Sequence, residues 1–115
     1  MDYTIKGNNI TLANSYSLDF KHPIKQTQAI EDVIVIILES PFRVVYNLNV
    51  FGIKRSGDFL WRIQETELFG KSLSGCPYVN VKVNEVGELV LFNWCDTAVI
   101  IDPQTGDVIR TYQTK

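Results

Sequence analysis

The stretch Val33–Leu38, which reads VIVIIL, is the most informative segment of the chain. Five of its six side chains are β-branched, and such side chains favour extended backbone over helix. Six residues are also too few for a buried helix. Because both alternating sets of side chains are apolar, the run is typical of a strand that is buried on both faces. We therefore predict a central strand here, which Ser40 and Pro41 end.

Shorter strand patterns lie on the N-terminal side of this run. Residues 3–5 and 10–12 flank the turn-forming Gly7-Asn8-Asn9, and residues 17–20 alternate between polar and apolar side chains. We predict a hairpin followed by a third strand, since glycine and asparagine favour tight turns. Residues 26–32 are interpreted as a short helical turn or a loop.

The longest strand-like stretch covers residues 43–53. Its apolar side chains change phase near residues 49–52, which indicates a bulge or a bend. The same alternation places Asn47 and Asn49 on a polar face. A further strand follows a turn, and its in-phase side chains are expected in the core: Phe59, Trp61 and Ile63.

Residues 64–77 show no clean period, and we interpret them as the longest irregular segment, with one helical turn as an alternative at its start. Valines alternate with polar residues over residues 79–83, which predicts a half-buried strand. Three more strands are predicted, at residues 89–94, 98–102 and 108–112.

Three of the connecting turns share one plan, in which a glycine is followed by an acidic residue and an apolar strand. The glycines are Gly57, Gly87 and Gly106. A type I turn followed by a left-handed residue matches the twist of a hairpin, and glycine adopts that conformation without steric cost. We therefore interpret these glycines as backbone determinants and not as parts of ligand sites.

Two of these turns, at Gly57 and Gly106, lie 49 positions apart. An offset of this size is typical of propeller blades. Residues 50–64 (VFGIKRSGDFLWRIQ) and 99–113 (VIIDPQTGDVIRTYQ) resemble the outer hairpins of blades in quinoprotein-type, PQQ-like β-propellers. The resemblance implies blade-like units, but the chain has room for about two, fewer than a closed propeller needs. No cofactor-binding residue is carried over from it.

A second resemblance rests on residues 49–63, which have the form NVFGI…G…LWRI. This core is similar to that of small uncharacterised bacterial domains and toxin-immunity-like proteins. It implies a bacterial protein that blocks a toxin by occlusion. The mildly acidic character of the chain would suit a basic nuclease target through charge complementarity.

These patterns predict one all-β domain over residues 1–115. We expect a small single domain of antiparallel hairpins in a meander, arranged as an incomplete propeller-like unit, a sandwich or an open barrel. A chain of 115 residues is long enough to bury a core without a disulfide or a metal. Its apolar content of 45% is near the globular average, which argues against disorder.

Charge and hydropathy exclude several classes of partner. The formal net charge is −2 and the basic residues are scattered, whereas binding to phosphates needs a basic surface. The longest apolar run has six residues, far short of the roughly 20 that a membrane span needs. The chain starts without the features of a signal peptide. We therefore predict no nucleic-acid partner, no membrane partner and a cytoplasmic location.

Few residues could carry chemistry. His22 is the single histidine, and Cys76 and Cys95 are the two cysteines, without the spacing of a metal site. We predict no metal and no cofactor. The cysteines are interpreted as free thiols, with a disulfide between them as the alternative. Cys76 with His22 as its base is the alternative hypothesis of a small enzyme, set against the prediction that the protein is not an enzyme.

Aromatic side chains near strand ends are the candidate partner contacts. Trp94 ends a predicted strand, and Tyr78 and Phe69 lie in or beside the irregular segment. Aromatic residues of these types are enriched at interfaces, although they pack equally well in cores. Two blade-like units also leave open strand edges, which invite pairing. We therefore predict a non-enzymatic protein-binding or structural domain that forms a homodimer through strand edges or pairs with another protein.

Overall fold

The structure, a computed structural model, describes residues 3–39, 48–63, 67–68, 71–72, 77–94 and 96–114. Within these ranges every regular element is a strand, which confirms the all-β prediction, and no helix there is long and apolar enough to cross a membrane. The strands are β1 Tyr3–Lys6, β2 Asn9–Leu12, β3 Ser17–Asp19, β4 Ile24–Ile30, β5 Val33–Leu38, β6 Val50–Lys54, β7 Phe59–Arg62, β8 Glu67–Leu68, β9 Lys71–Ser72, β10 Tyr78–Val83, β11 Leu89–Asn93, β12 Thr97–Ile101 and β13 Val108–Gln113.

The described strands form three open sheets and one short hairpin. The N-terminal sheet has the order β1-β2-β3, the central sheet β4-β5-β6-β7 and the C-terminal sheet β10-β11-β12-β13, while β8 pairs with β9. All of these pairs are antiparallel. Neighbours in each sheet are also neighbours in sequence, so each sheet is a meander, as predicted. In the described part of the chain, no pairing closes a sheet into a barrel.

The β5 strand lies in the middle of three layers. All six of its side chains are fully buried, which confirms the strand predicted to be buried on both faces. The side chains at positions 33, 35 and 37 pack with residues of the C-terminal sheet such as Leu91. Those at positions 34, 36 and 38 pack with residues of the N-terminal sheet such as Ile10. Burial from both sides explains why this strand needs no polar residue.

The prediction of a helical turn or loop at residues 26–32 is wrong, because most of this segment is the strand β4. Its polar side chains hide the strand pattern, since they bind other layers instead of water. The Gln26 side chain donates to the Val81 carbonyl at 2.9 Å, and the Thr27 hydroxyl bonds to the Tyr3 hydroxyl at 2.8 Å. The segment predicted to be irregular, residues 64–77, contains the short hairpin of β8 and β9.

Two bulges reverse the expected phase of side chains. On β7, Trp61 lies opposite Gly52 but Phe59 lies opposite Ile53, so Leu60 is an extra residue. Trp61 is therefore buried, whereas Phe59 is 64% exposed and its predicted place in the core is wrong. The bulge or bend predicted near residues 49–52 is wrong, because β6 pairs with β5 without a break and the extra residue lies in β7. The apparent change of phase arises because β6 is buried on both faces, with Val50 in one core cluster and Ile53 in the other. On β10 the extra residue is Val79, so the simple alternation predicted for residues 79–83 is also wrong.

Asn49 was predicted to lie on a polar face, and this prediction is wrong. Its side chain is buried and replaces a neighbouring strand as a hydrogen-bonding partner. The amide nitrogen donates to the carbonyls of Leu38 and Tyr78, each at 2.8 Å. The amide oxygen accepts from the Tyr78 backbone at 2.9 Å. A buried polar group is tolerated here because all of these bonds are made. Asn47 lies outside the described residues.

The three glycine turns have the predicted geometry. The glycines have φ values of 106°, 86° and 76° in chain order. In each turn the glycine amide donates back to the first turn residue, to the carbonyls of Lys54, Asn84 and Asp102. Gly57 connects β6 to β7 and Gly106 connects β12 to β13, so both join the third and fourth strands of a four-stranded sheet. The 49-residue offset is therefore a repeat of structure as well as of sequence.

Trp61 connects the two four-stranded sheets. Its ring lies so close to Gly52 of its own sheet and Gly106 of the C-terminal sheet that a β-carbon at either position would come within 3 Å of the indole. The indole nitrogen donates to the Pro103 carbonyl at 2.7 Å. The turn between β12 and β13 thus packs on the tryptophan of the equivalent hairpin, β6–β7.

Candidate functional site

Exposed apolar side chains are concentrated on the C-terminal sheet. Among the described residues, ten large apolar side chains are exposed, and seven of them lie between residues 79 and 112. Exposed apolar side chains mark interaction surfaces when they cluster. The seven are Val79, Val83, Val86, Trp94, Val108, Ile109 and Tyr112.

The three predicted partner contacts fall in different places. Trp94 is 69% exposed in the turn between β11 and β12, where a partner can reach it. Tyr78 is 4% exposed and packs in the core between the central and C-terminal sheets, so its prediction as a partner contact is corrected to core packing. The bulge at Val79 turns the Tyr78 ring inward. Phe69 lies outside the described residues, as do Cys76 and Cys95.

Burial changes the titration of Tyr78. Loss of water around its hydroxyl raises the pKa of Tyr78 to about 12, because the phenolate would be poorly solvated. The side chain therefore stays neutral at all physiological pH values. It contributes packing to the core, and no charge.

The C-terminal sheet ends in the edge strand β13. The Thr114 amide donates to the Asp96 carbonyl at 2.8 Å, and Tyr112 lies opposite Ala98 in β12. Backbone groups in an antiparallel strand point alternately to either side. The amides and carbonyls of Thr111 and Gln113 therefore point away from β12. Among the described strands, none pairs with this side of β13.

The opposite edge of the same sheet, β10, is closed by side chains. Asn49 binds both backbone groups of Tyr78, and Gln26 binds the carbonyl of Val81. Amide side chains from the central sheet thus take the place of a further strand. The outward backbone groups of β10 thus have side-chain partners, whereas no described strand pairs with the outward groups of β13.

The outer face of the C-terminal sheet has an apolar centre under charged side chains. Val90, Ala98 and Ile100 are buried on this face, and the Lys82 ammonium lies 5.4 Å from the centre of the Phe92 ring. The Arg110 guanidinium reaches from β13 across β12 to the Glu88 carboxylate, at 2.7 and 2.6 Å. The hydrogen bond from Arg110, and to a smaller extent the one from Asn84, lowers the pKa of the Glu88 carboxyl below its usual range.

A shallow cleft lies beside this ion pair. It has a volume of about 480 Å³ and is lined by Lys82, Val86, Arg110 and neighbouring residues of the turn between β10 and β11. A cleft that is open to solvent in this way offers surface for contact but no enclosed volume for a small molecule.

The described residues contain no group of three or more His, Cys, Asp and Glu side chains that could hold a metal ion. The enzymatic alternative rests on Cys76, outside the described ranges, so it is not tested. What the site can do is hydrogen-bond to an extended chain along β13 and contact apolar groups beside it.

Sequence reasoning predicted β13 and the presence of open edges, but it did not identify which edge is open. One signal was available. The 49-residue repeat makes β13 equivalent to β7, which is the last strand of the central sheet. The repeat therefore indicates that β13 is also an edge strand. The closure of β10 by Asn49 and Gln26 had no such signal, because both contacts span more than 25 residues of sequence.

A comparison with family models finds one match, to the family described as "Domain of unknown function (DUF7957)", over residues 1–113. No curated protein and no solved structure matches the chain. The resemblances to propeller blades and to immunity-like domains therefore stay predictions.

Proposed function

We propose that this chain, which belongs to the DUF7957 family, is a non-enzymatic protein-binding domain. In this proposal the edge strand β13 accepts an extended strand from a partner. The observation that carries this proposal is the contrast between the two edges of the C-terminal sheet. Side-chain amides close β10, whereas the outward backbone groups of β13 meet no other described strand.

Strand addition would use the backbone for affinity and the side chains for specificity. The outward amides and carbonyls of Thr111 and Gln113 offer hydrogen bonds to any extended chain. Tyr112 and Ile109 are exposed beside them and offer apolar contact. Arg110 is held in place by Glu88, which limits the side-chain entropy lost on binding.

Trp94 extends this surface at one end of the strand. The bond from Thr114 to Asp96 brings the C-terminal end of β13 beside the turn that carries Trp94. A large exposed aromatic ring beside an open strand edge is the kind of anchor that concentrates binding energy. The proposal therefore retains Trp94 as a partner contact and assigns the main contact to β13.

A photoreactive amino acid placed at position 111 tests the proposal. In cells that produce the protein naturally, we expect cross-linked products. These products should disappear when the same chain also carries the substitution Ile109→Lys. The matched control carries the same group at position 59, since Phe59 is exposed on the edge strand of the central sheet. Equal products from both positions, or none from position 111, would refute the proposal.

A further inference from the structure

We infer that the strand accepted at this edge is β13 of a second copy of the chain, antiparallel to the first, with a twofold axis beside Tyr112. The inference rests on the proposed function and names its partner. It joins two C-terminal sheets into one continuous sheet of eight strands.

The direction of the backbone groups limits the possible registers. Tyr112 directs its backbone groups to β12, so opposite a second β13 it belongs to a non-hydrogen-bonded pair. With the axis beside Tyr112, Thr111 pairs with Gln113 of the second copy, and Gln113 pairs with Thr111 of the second copy. Both are residues with outward backbone groups, so this register makes four backbone hydrogen bonds.

The bulge in β13 disfavours the registers whose axis lies nearer to the start of the strand. Val108 lies opposite Ile101 and Arg110 opposite Ile100, so Ile109 is the extra residue. An axis at Thr111 would place Gln113 against this bulge, where regular pairing is disrupted. An axis at Arg110 would also oppose two like charges, which destabilises a strand pair. The axis beside Tyr112 keeps all four bonds in the regular part of the strand.

Side chains along the proposed pairing are self-complementary. The two Tyr112 rings, each 44% exposed in the single chain, would meet across the axis on the outer face. Aromatic pairs at non-hydrogen-bonded positions are among the favourable cross-strand pairs. Arg110 would lie opposite Thr114 of the second copy, and the next residue across that sheet is Asp96 of the second copy, whose carbonyl accepts from the Thr114 amide. A net charge of only −2 opposes association little.

The solution mass of the full chain is the first test. We expect twice the 13.1 kDa of one chain by light scattering after gel filtration. In the Tyr112→Lys variant two ammonium groups face each other at the axis, so the affinity of the dimer should fall at least about tenfold. The Tyr112→Phe variant should keep the affinity of the parent chain. Phe59→Lys is the matched control on the other edge and should leave the dimer intact. Circular dichroism checks that each variant is folded.

Cross-linking tests the register. Residues in a non-hydrogen-bonded pair have Cα atoms about 4.5 Å apart, within the range of a disulfide. Tyr112→Cys should therefore give an oxidised dimer, whereas Thr111→Cys should not, because it faces Gln113 of the second copy. The parent chain, with Cys76 and Cys95, supplies the background.

The outcomes separate the inference from the proposed function. A monomer at high micromolar concentration overturns the inference, and so does a dimer that Tyr112→Lys leaves unchanged. If position 111 then still cross-links to a different protein, the proposed strand-accepting function stands with another partner. If it cross-links to nothing, both fall.

Discussion

The side chain of Asn49 binds the backbone of Tyr78 in the way that a neighbouring strand would. Its amide nitrogen donates to the Tyr78 carbonyl at 2.8 Å, and its amide oxygen accepts from the Tyr78 amide at 2.9 Å. The two residues belong to different layers, the central and the C-terminal sheet. One polar side chain therefore both connects the layers and closes an edge that would otherwise be open.

Replacement of Asn49 by alanine should destabilise the fold strongly. Three buried backbone groups would lose their partner, and each unsatisfied group costs about 1–3 kcal/mol. We expect a loss of about 3–5 kcal/mol in the free energy of unfolding, measured by denaturant titration. Asn9→Ala is the control, because Asn9 also makes several side-chain bonds, but at the surface. Equal losses for the two variants would contradict the role of Asn49.

Gly106→Ala should cost more than Gly87→Ala. Both glycines have positive φ, so both substitutions carry a conformational cost of about 1–2 kcal/mol. A β-carbon at Gly87 meets no atom within 4 Å, whereas one at Gly106 meets the Trp61 ring. Overpacking should add about 1–3 kcal/mol at Gly106 alone. Thermal melts of the two variants measure the difference, and identical melts would exclude the packing of Trp61 on this turn.

The stability should fall at high pH because of Tyr78. Its pKa is about 12 in the folded chain and 10.0 for an unperturbed tyrosine side chain, so the folded state holds the proton more tightly. This contribution is fully present below pH 10 and is lost as the pH rises from 10 to 12. The full loss is about 2–3 kcal/mol. Tyr78→Phe should remove this part of the pH dependence; an unchanged profile in that variant would show that another group titrates.

The two tryptophans should respond differently to substitution. Trp94 is 69% exposed, so Trp94→Ala should change the free energy of unfolding by less than about 0.5 kcal/mol. Trp61→Ala empties a site in the core and should cost about 3–5 kcal/mol. Urea unfolding of both variants provides the comparison. A large loss with Trp94→Ala would show that this ring packs in the fold and is not reserved for a partner.

Local features of the chain were predictable. The strand at Val33–Leu38 follows from its β-branched run, and the three turns follow from glycines that adopt positive φ. These features depend on the sterics of neighbouring residues, which the order of amino acids specifies. The fold class and the last three strands followed from the same reasoning.

Long-range features were not predictable in the same way. A single extra residue at Leu60 moved Phe59 to the surface, because a bulge puts the side chains before it out of phase with those after it. Residues 26–30 did not have an apolar strand pattern, since Gln26 and Thr27 serve as hydrogen-bonding partners of distant residues. Asn49 was placed on the wrong side for the same reason.

The candidate site shows the same division. The amino-acid sequence by itself determined that β13 is a strand and that its sheet is a meander with two edges. Only the tertiary structure decided which edge is closed, because that depends on Asn49 and Gln26 arriving from another layer. Hydrogen bonds between residues so far apart in sequence form only when the layers are packed, and no local pattern encodes them.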